Sequence, residues 1–308
     1  MFDLRRIAGA AFCLASAVLL LVVAGRISGD LASAAPQTLA LSVLASSTGL
    51  LLLGIGSALA TARAPLSESL GLSAGRLGIL RVSVLVIGAI GISHLLDFGL
   101  RVSEVRQATL LPVIDRAAAN ATGRSLWLLV AAFGIAPGIA EEVLFRGWLL
   151  RALRPGWGAT FAIVVSGCLF GALHYDVPHV VTAAGLGFYL GVVAVATSST
   201  RSAIACHVCN NLAALAFATG ALRVSIPLWP RLSLAVVAAA AGVAVAVHAL
   251  RSQGAARAHS AKSSFGHEPG ASEHVSEGRR DGTELGLEPA PEPAEMSDDT
   301  SPPHPGPR

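Results

Sequence analysis

Charge is what this sequence has least of. Of its 308 residues only 13% are Asp, Glu, Lys or Arg, about half the 25% typical of a soluble domain, which excludes an ordinary cytosolic enzyme. Lysine is almost missing: Lys262 stands alone against 21 arginines, a bias of the kind a GC-rich genome imposes rather than a binding feature. The arginines are scattered and form no basic run, which excludes nucleic acid as a partner despite a pI near 8.9. Cysteine is scarce too. Cys13, Cys168, Cys206 and Cys209 all fall inside apolar stretches, so no secreted disulfide framework exists. There is no fixed-period repeat. The apolar runs also lack the period-2 alternation of a membrane barrel.

The remaining charge is unevenly placed. Residues 1–250 carry 16 arginines and 9 acids, whereas residues 251–308 carry 6 basic and 10 acidic residues and 8 of the 16 prolines. The chain is therefore an apolar body followed by a polar tail. With Glu288-Pro289-Ala290-Pro291-Glu292-Pro293 at its centre, the tail has the composition of a disordered segment.

A bilayer needs roughly 20 mainly apolar residues per helical crossing, and only helices satisfy their own backbone groups in lipid. Eight segments qualify: 7–25, 38–60, 77–100, 125–150, 158–174, 177–197, 202–222 and 228–249. The expected fold is an all-α polytopic bundle. Arg5 and Arg6 precede the first segment, and Ala32-Ser33-Ala34 resembles a signal-peptidase site. Its apolar run of 19 residues exceeds the 7–15 of a cleavable region, so it reads as a retained helix. With both termini inside, ten cationic side chains lie on the inner face and seven on the outer, which favours that orientation in a plasma (inner) membrane.

Three polar clusters interrupt these spans. Glu141, Glu142 and Arg146 stand within six residues of the fourth, each costing about 2.5–3.5 kcal/mol at mid-bilayer. Glu142 and Arg146 share a helical face at i, i+4 and can neutralise each other; Glu141 has no local partner. The fifth span ends at Phe170 and His174, and the seventh carries His207 and Asn211, again i, i+4. Counted at 1.5 Å per residue, their depths overlap loosely, with the fifth span in need of tilt or an inset start. Cys206-x-x-Cys209 reads as small apolar packing, His94 with Asp97 as an interfacial polar contact, and His179 as structural.

Glu-Glu-x-x-x-Arg, Phe-x-x-x-His and His-x-x-x-Asn, in that order and on separate hydrophobic segments, resemble the motifs of the CPBP family. This is the CAAX prenyl protease and bacteriocin-processing group, also called Abi. The resemblance implies an intramembrane endopeptidase with Glu141 as catalytic glutamate. Glu142 and Arg146 complete the first motif, His174 helps hold the attacking water, and His207 and Asn211 stand opposite. It also implies an organisation: N-terminal helices and loop over 1–124, a catalytic helix core over 125–222, a last transmembrane helix over 223–250 and the tail over 251–308. Substrates would be membrane-embedded or lipid-anchored proteins, CAAX-type proteins among them.

The chemistry of these side chains is compatible with those roles. A desolvated carboxylate is a better base toward water, and His207 and the Asn211 amide can donate to an oxyanion. A second arrangement uses Glu141, His174 and His207 as three zinc ligands with water in the open position. No His-Glu-x-x-His helix or Gly-x-Ser-x-Gly elbow occurs, so other protease designs have no support. Two further readings remain: a non-catalytic scaffold or bacteriocin-immunity-type protein, and a proton-coupled transporter. For the last, the paired broken helices are missing.

Overall fold

In the computed structural model, which describes residues 36–61, 64–174, 176–222 and 226–265, every regular element is a helix. The main ones are α1 (Pro36–Thr61), α2 (Ile79–Val102), α3 (Leu111–Ala119), α4 (Gly123–Ala172), α5 (Val177–Thr197), α6 (Thr200–Ala218) and α7 (Leu228–Phe265). The expected span 7–25 lies outside the described residues. Contacts divide the chain after Lys262; beyond that point only the last residues of α7 are described.

Helix α4 has 50 residues and would be about 75 Å long if straight, more than twice the apolar thickness of a bilayer. It is a hairpin. Pro155 lacks a backbone donor, and three residues later Gly158 takes φ 81°, ψ 168°, a conformation that glycine adopts without strain. The second arm then runs back along the first, where Ser166 Oγ donates to the Phe145 carbonyl at 3.1 Å. The expected spans 125–150 and 158–174 are these two arms.

Among the described residues, five helices are long and apolar enough to cross a membrane: α1, α2, α4, α5 and Leu228–Ala256 of α7. The chain is an integral membrane protein. Helix α6, the expected seventh span, is long enough but less apolar, because Arg201, His207, Asn210 and Asn211 interrupt it. It also ends at Ala218 rather than at 222.

Between lipid-bathed helices, small residues rather than hydrophobic driving force permit close packing. Gly54 of α1 lies where a Cβ would come within 3.0 Å of the Leu144 backbone. This lets α1 lie against the first arm of α4, with Leu50, Val143, Leu144, Phe145 and Trp148 buried together. A second cluster joins α2, α5, α6 and α7 through Leu85, Tyr189, Leu190, Val193, Cys206 and Ala246. Large apolar side chains face outward, among them Leu52, Leu80, Val177 and Val237, as a lipid-contacting surface requires. Exposed Trp127 and Trp229 mark the starts of α4 and α7, where amphipathic rings favour the membrane interface.

The segment joining α2 to α4 is fastened rather than loose. Arg106 is buried, with Nε 2.7 Å from Asp97 Oδ1 and Nη2 2.8 Å from Asp115 Oδ2. Burial disfavours its charge, but the hydrogen bonds and charges of the two carboxylates outweigh that and raise its pKa. Asp97 also accepts from Arg101 at 2.7 Å. The expected His94–Asp97 contact is therefore replaced by an arginine–aspartate network. The His94 ring instead packs against Phe217 at 6.5 Å.

Candidate active site

The first motif sits where helix α4 changes its winding. Residues Ala136–Glu142 are α-helical, and Val143–Leu149 form a π-helical turn, a wider geometry that concentrates at functional sites. The turn carries Arg146, whose Nη1 lies 2.8 Å from Glu142 Oε1. Both side chains are fully buried. The guanidinium donates a second bond through Nη2 to the Gly187 carbonyl at 2.6 Å and lies over the Phe170 ring at 4.6 Å. Gly187 makes that approach possible, since a Cβ there would fall 3.2 Å from Arg146 Nη2 and 2.9 Å from Phe170.

Helix α6 brings His207 to the same place. Gly138, one turn before Glu142, meets Val208 so closely that a Cβ would lie 2.7 Å from its side chain and 3.0 Å from its backbone nitrogen. With the helices at this distance, His207 Nδ1 is 3.0 Å from Glu142 Oε1. Arg146 donates to the same carboxylate oxygen, and with that oxygen as acceptor Nδ1 is the donor nitrogen, which leaves Nε2 facing Glu141. His207 Nε2 lies 4.0 Å from Glu141 Oε2. His207 thus stands between the two adjacent glutamates.

Glu141 differs from its neighbour. Its side chain is 14% exposed, against 0% for Glu142, so Glu141 is the carboxylate with access to the outside of the site. Its nearest ionisable partner is His207, at a distance too long for a direct hydrogen bond.

His174 joins less directly. It follows the end of the second arm of α4, with Nδ1 3.3 Å from the Phe170 carbonyl; a carbonyl only accepts, so this nitrogen is the donor. Phe170 stands between the two histidines, 5.5 Å from each ring centroid. The Gly158 turn explains the common level. Glu141 lies 17 residues before it and His174 16 after it, about 25 Å of rise on either arm, which removes the mismatch expected from the sequence. Asn211 lies one turn beyond His207 and is half-buried, its Oδ1 3.5 Å from Asn210 Nδ2.

His179 adjoins His174. The His179 ring meets His174 edge-on at 4.4 Å. Asp176 caps α5 by accepting from the His179 backbone at 2.8 Å and accepts through Oδ2 from the Leu110 amide at 3.3 Å. The capping aspartate thereby ties the α2–α4 connection to the histidine corner. Cys206 and Cys209 flank His207, but the first is buried and the second exposed, so they face different surroundings.

A zinc ion would need three or four converging ligands. Among the described residues no group of three His, Cys, Asp or Glu side chains is placed to hold a metal. In this arrangement Glu141 and His207 approach each other while His174 stays behind Phe170. The expected ligand trio is not gathered, and no step is derived through a metal.

No curated protein and no solved structure is a match to this chain. Residues 123–213 match the family model of type II CAAX prenyl endopeptidase Rce1-like proteins. The matched stretch begins with the first residue of α4 and includes Glu141, Glu142, Arg146, His174, His207 and Asn211. The buried motifs and this match together identify residues 123–213 as an Rce1-like protease domain of the CPBP type.

Proposed function

We propose that the chain is a CAAX-type intramembrane endopeptidase that hydrolyses peptide bonds of membrane-associated substrates by means of a glutamate-activated water. The observation that carries this reading is the position of His207, with Nδ1 3.0 Å from Glu142 and Nε2 4.0 Å from Glu141. Two acceptors at that separation, Glu141 Oε2 and His207 Nε2, can share one water lying to their side at ordinary hydrogen-bond lengths of about 2.8 Å.

Glu141 takes a proton from that water while the oxygen bonds to the substrate carbonyl carbon. The carbonyl becomes an oxyanion, for which the Asn211 amide is a donor. As the C–N bond breaks, Glu141 returns the proton to the leaving amine, and a new carboxylic acid and a new amine result, the acid then losing its proton to solvent. His207 orients the water through Nε2 rather than serving the oxyanion, because its only proton is held by Glu142. Arg146 and Glu142 fix His207, and His174 approaches the site from beside Phe170.

The catalytic core of residues 125–222 lies within an inner membrane with both termini inside. Proteoliposomes containing the full chain and a lipid-anchored CAAX-type peptide test the substrate class. Mass spectrometry is expected to find a released fragment C-terminal to the lipidated cysteine. Intact peptide, together with a membrane proteome unchanged by removing the protein, would favour a scaffold role instead.

A further inference from the structure

A cavity of about 270 Å³ opens toward the Gly158 end of the first α4 arm. Arg76, Arg151, Arg154 and Arg146 line it, with Thr200 at the first turn of α6; among the described residues, Glu68 is the one acid lining it. The parts come from turns that meet at one membrane face. Arg76 precedes α2, Arg151 and Arg154 approach the Gly158 turn of α4, and Thr200 follows the α5–α6 turn. Backbone bonds hold them together: Arg76 N donates to the Thr197 carbonyl at 3.0 Å and Thr200 N to the Gly71 carbonyl at 2.9 Å.

Arginines at a membrane face ordinarily reach water or lipid one by one. Here they line one half-open cavity. Gly71, at φ +62°, leaves room for the Arg151 guanidinium, which a Cβ at that position would overlap. Arg151 makes a long bond to the Ser198 carbonyl at 3.3 Å, which uses one of its five donors. Arg146, fully buried, also borders the cavity. With Arg146 balanced by Glu142, Arg76 and Arg151 against Glu68 leave the cavity positive. The 19-residue α6 adds the partial positive charge of its N-terminus.

We infer that this cavity is a binding site for a phosphate-bearing anion at the membrane face. Guanidinium forks match tetrahedral phosphate oxygens in geometry and charge. Two sources share that chemistry, the headgroup of an anionic phospholipid and free phosphate. Apart from Arg146, which Glu142 balances, the site's α4 residues lie eight or more positions beyond Glu142, about 12 Å of rise, and the assignment does not depend on the proposed catalytic reading.

The test uses the full chain in nanodiscs, with Tm as the readout. One arm compares phosphatidylcholine with phosphatidylcholine containing about 20 mol% phosphatidylglycerol. The other titrates inorganic phosphate into phosphatidylcholine discs at constant ionic strength. A rise in Tm in the first arm alone identifies a lipid phosphate, in the second alone free phosphate, and in both a cavity that accepts either. Arg76→Gln is expected to weaken the half-saturating concentration about tenfold. Glu68→Gln removes the opposing charge and is expected to tighten it. Arg201→Gln, an exposed arginine outside the cavity, is expected to change nothing. No rise in either arm, or an Arg201→Gln effect equal to that of Arg76→Gln, would overturn the assignment. Should Arg76→Gln lower Tm in plain phosphatidylcholine, Glu68→Gln decides: unchanged or weaker binding contradicts the site.

Discussion

The imidazole Nδ1 of His207 lies 3.0 Å from Oε1 of Glu142, across 65 residues of sequence, and that oxygen is the one Arg146 neutralises. Two bonds on one carboxylate oxygen thus decide the tautomer of the histidine, and through it the character of the nitrogen facing Glu141. The other oxygen, Glu142 Oε2, is buried without a hydrogen-bond partner, so the carboxylate depends heavily on Arg146 and His207.

Removing one member of the buried pair should cost far more than removing both. Arg146→Met leaves Glu142 uncompensated and is expected to destabilise the protein by about 3–5 kcal/mol. The double variant Glu142→Gln/Arg146→Met should recover part of that loss. Unfolding measurements on the four proteins of the cycle check it; strictly additive losses would mean that the two side chains do not act as a pair.

Close helix approach should matter as much as the polar groups. Gly138→Ala forces a Cβ to within 2.7 Å of Val208 Cγ2 and 3.0 Å of its backbone nitrogen, so α6 must shift. A displacement of about 1 Å at a catalytic group can lower the rate about a hundredfold. The prediction is a kcat loss much larger than the change in Tm, read from cleavage assays and thermal unfolding of the same preparation.

His179 should behave as a positioning residue. His179→Ala removes the ring that meets His174 at 4.4 Å and is expected to reduce kcat about tenfold with little change in KM. His179→Phe, which restores a ring but no ionisable group, should recover most of the rate. Failure of the phenylalanine to rescue would show that the imidazole nitrogens, not the packing, matter.

Metal stripping addresses the zinc arrangement from outside the site. The side chains as placed form no three-ligand group among the described residues, and a water activated by Glu141 requires no metal. Cleavage is expected to continue at an unchanged rate after chelator treatment and dialysis, with elemental analysis finding no stoichiometric zinc.

The sequence revealed what is local. Helical fold and apolar body follow from long uncharged runs, and the Glu142–Arg146 pair follows from i, i+4 spacing. What escaped it depends on three-dimensional closure. The π-helical turn at Val143–Leu149 carries no signature in residue type, because its extra residue per turn is imposed by packing against α1 and the second arm. The contact of His207 with Glu142 requires knowing how α6 lies against α4, which Gly138 permits but does not announce. The role of His179 was closer to legible. Asp176-x-x-His179 is an N-cap spacing directly after His174, and a cap there folds the next helix back over the previous one.

The central claim is that Glu141, not the buried Glu142, activates the water. Its most direct test is the cleavage rate of purified Glu141→Gln in proteoliposomes, on a preparation whose Tm matches the unsubstituted protein. Loss of a positioned base should lower the rate by about 10²–10⁴, while Tm stays unchanged because the side chain keeps its size and partial exposure. Cleavage at the unsubstituted rate by a folded Glu141→Gln protein would contradict the account.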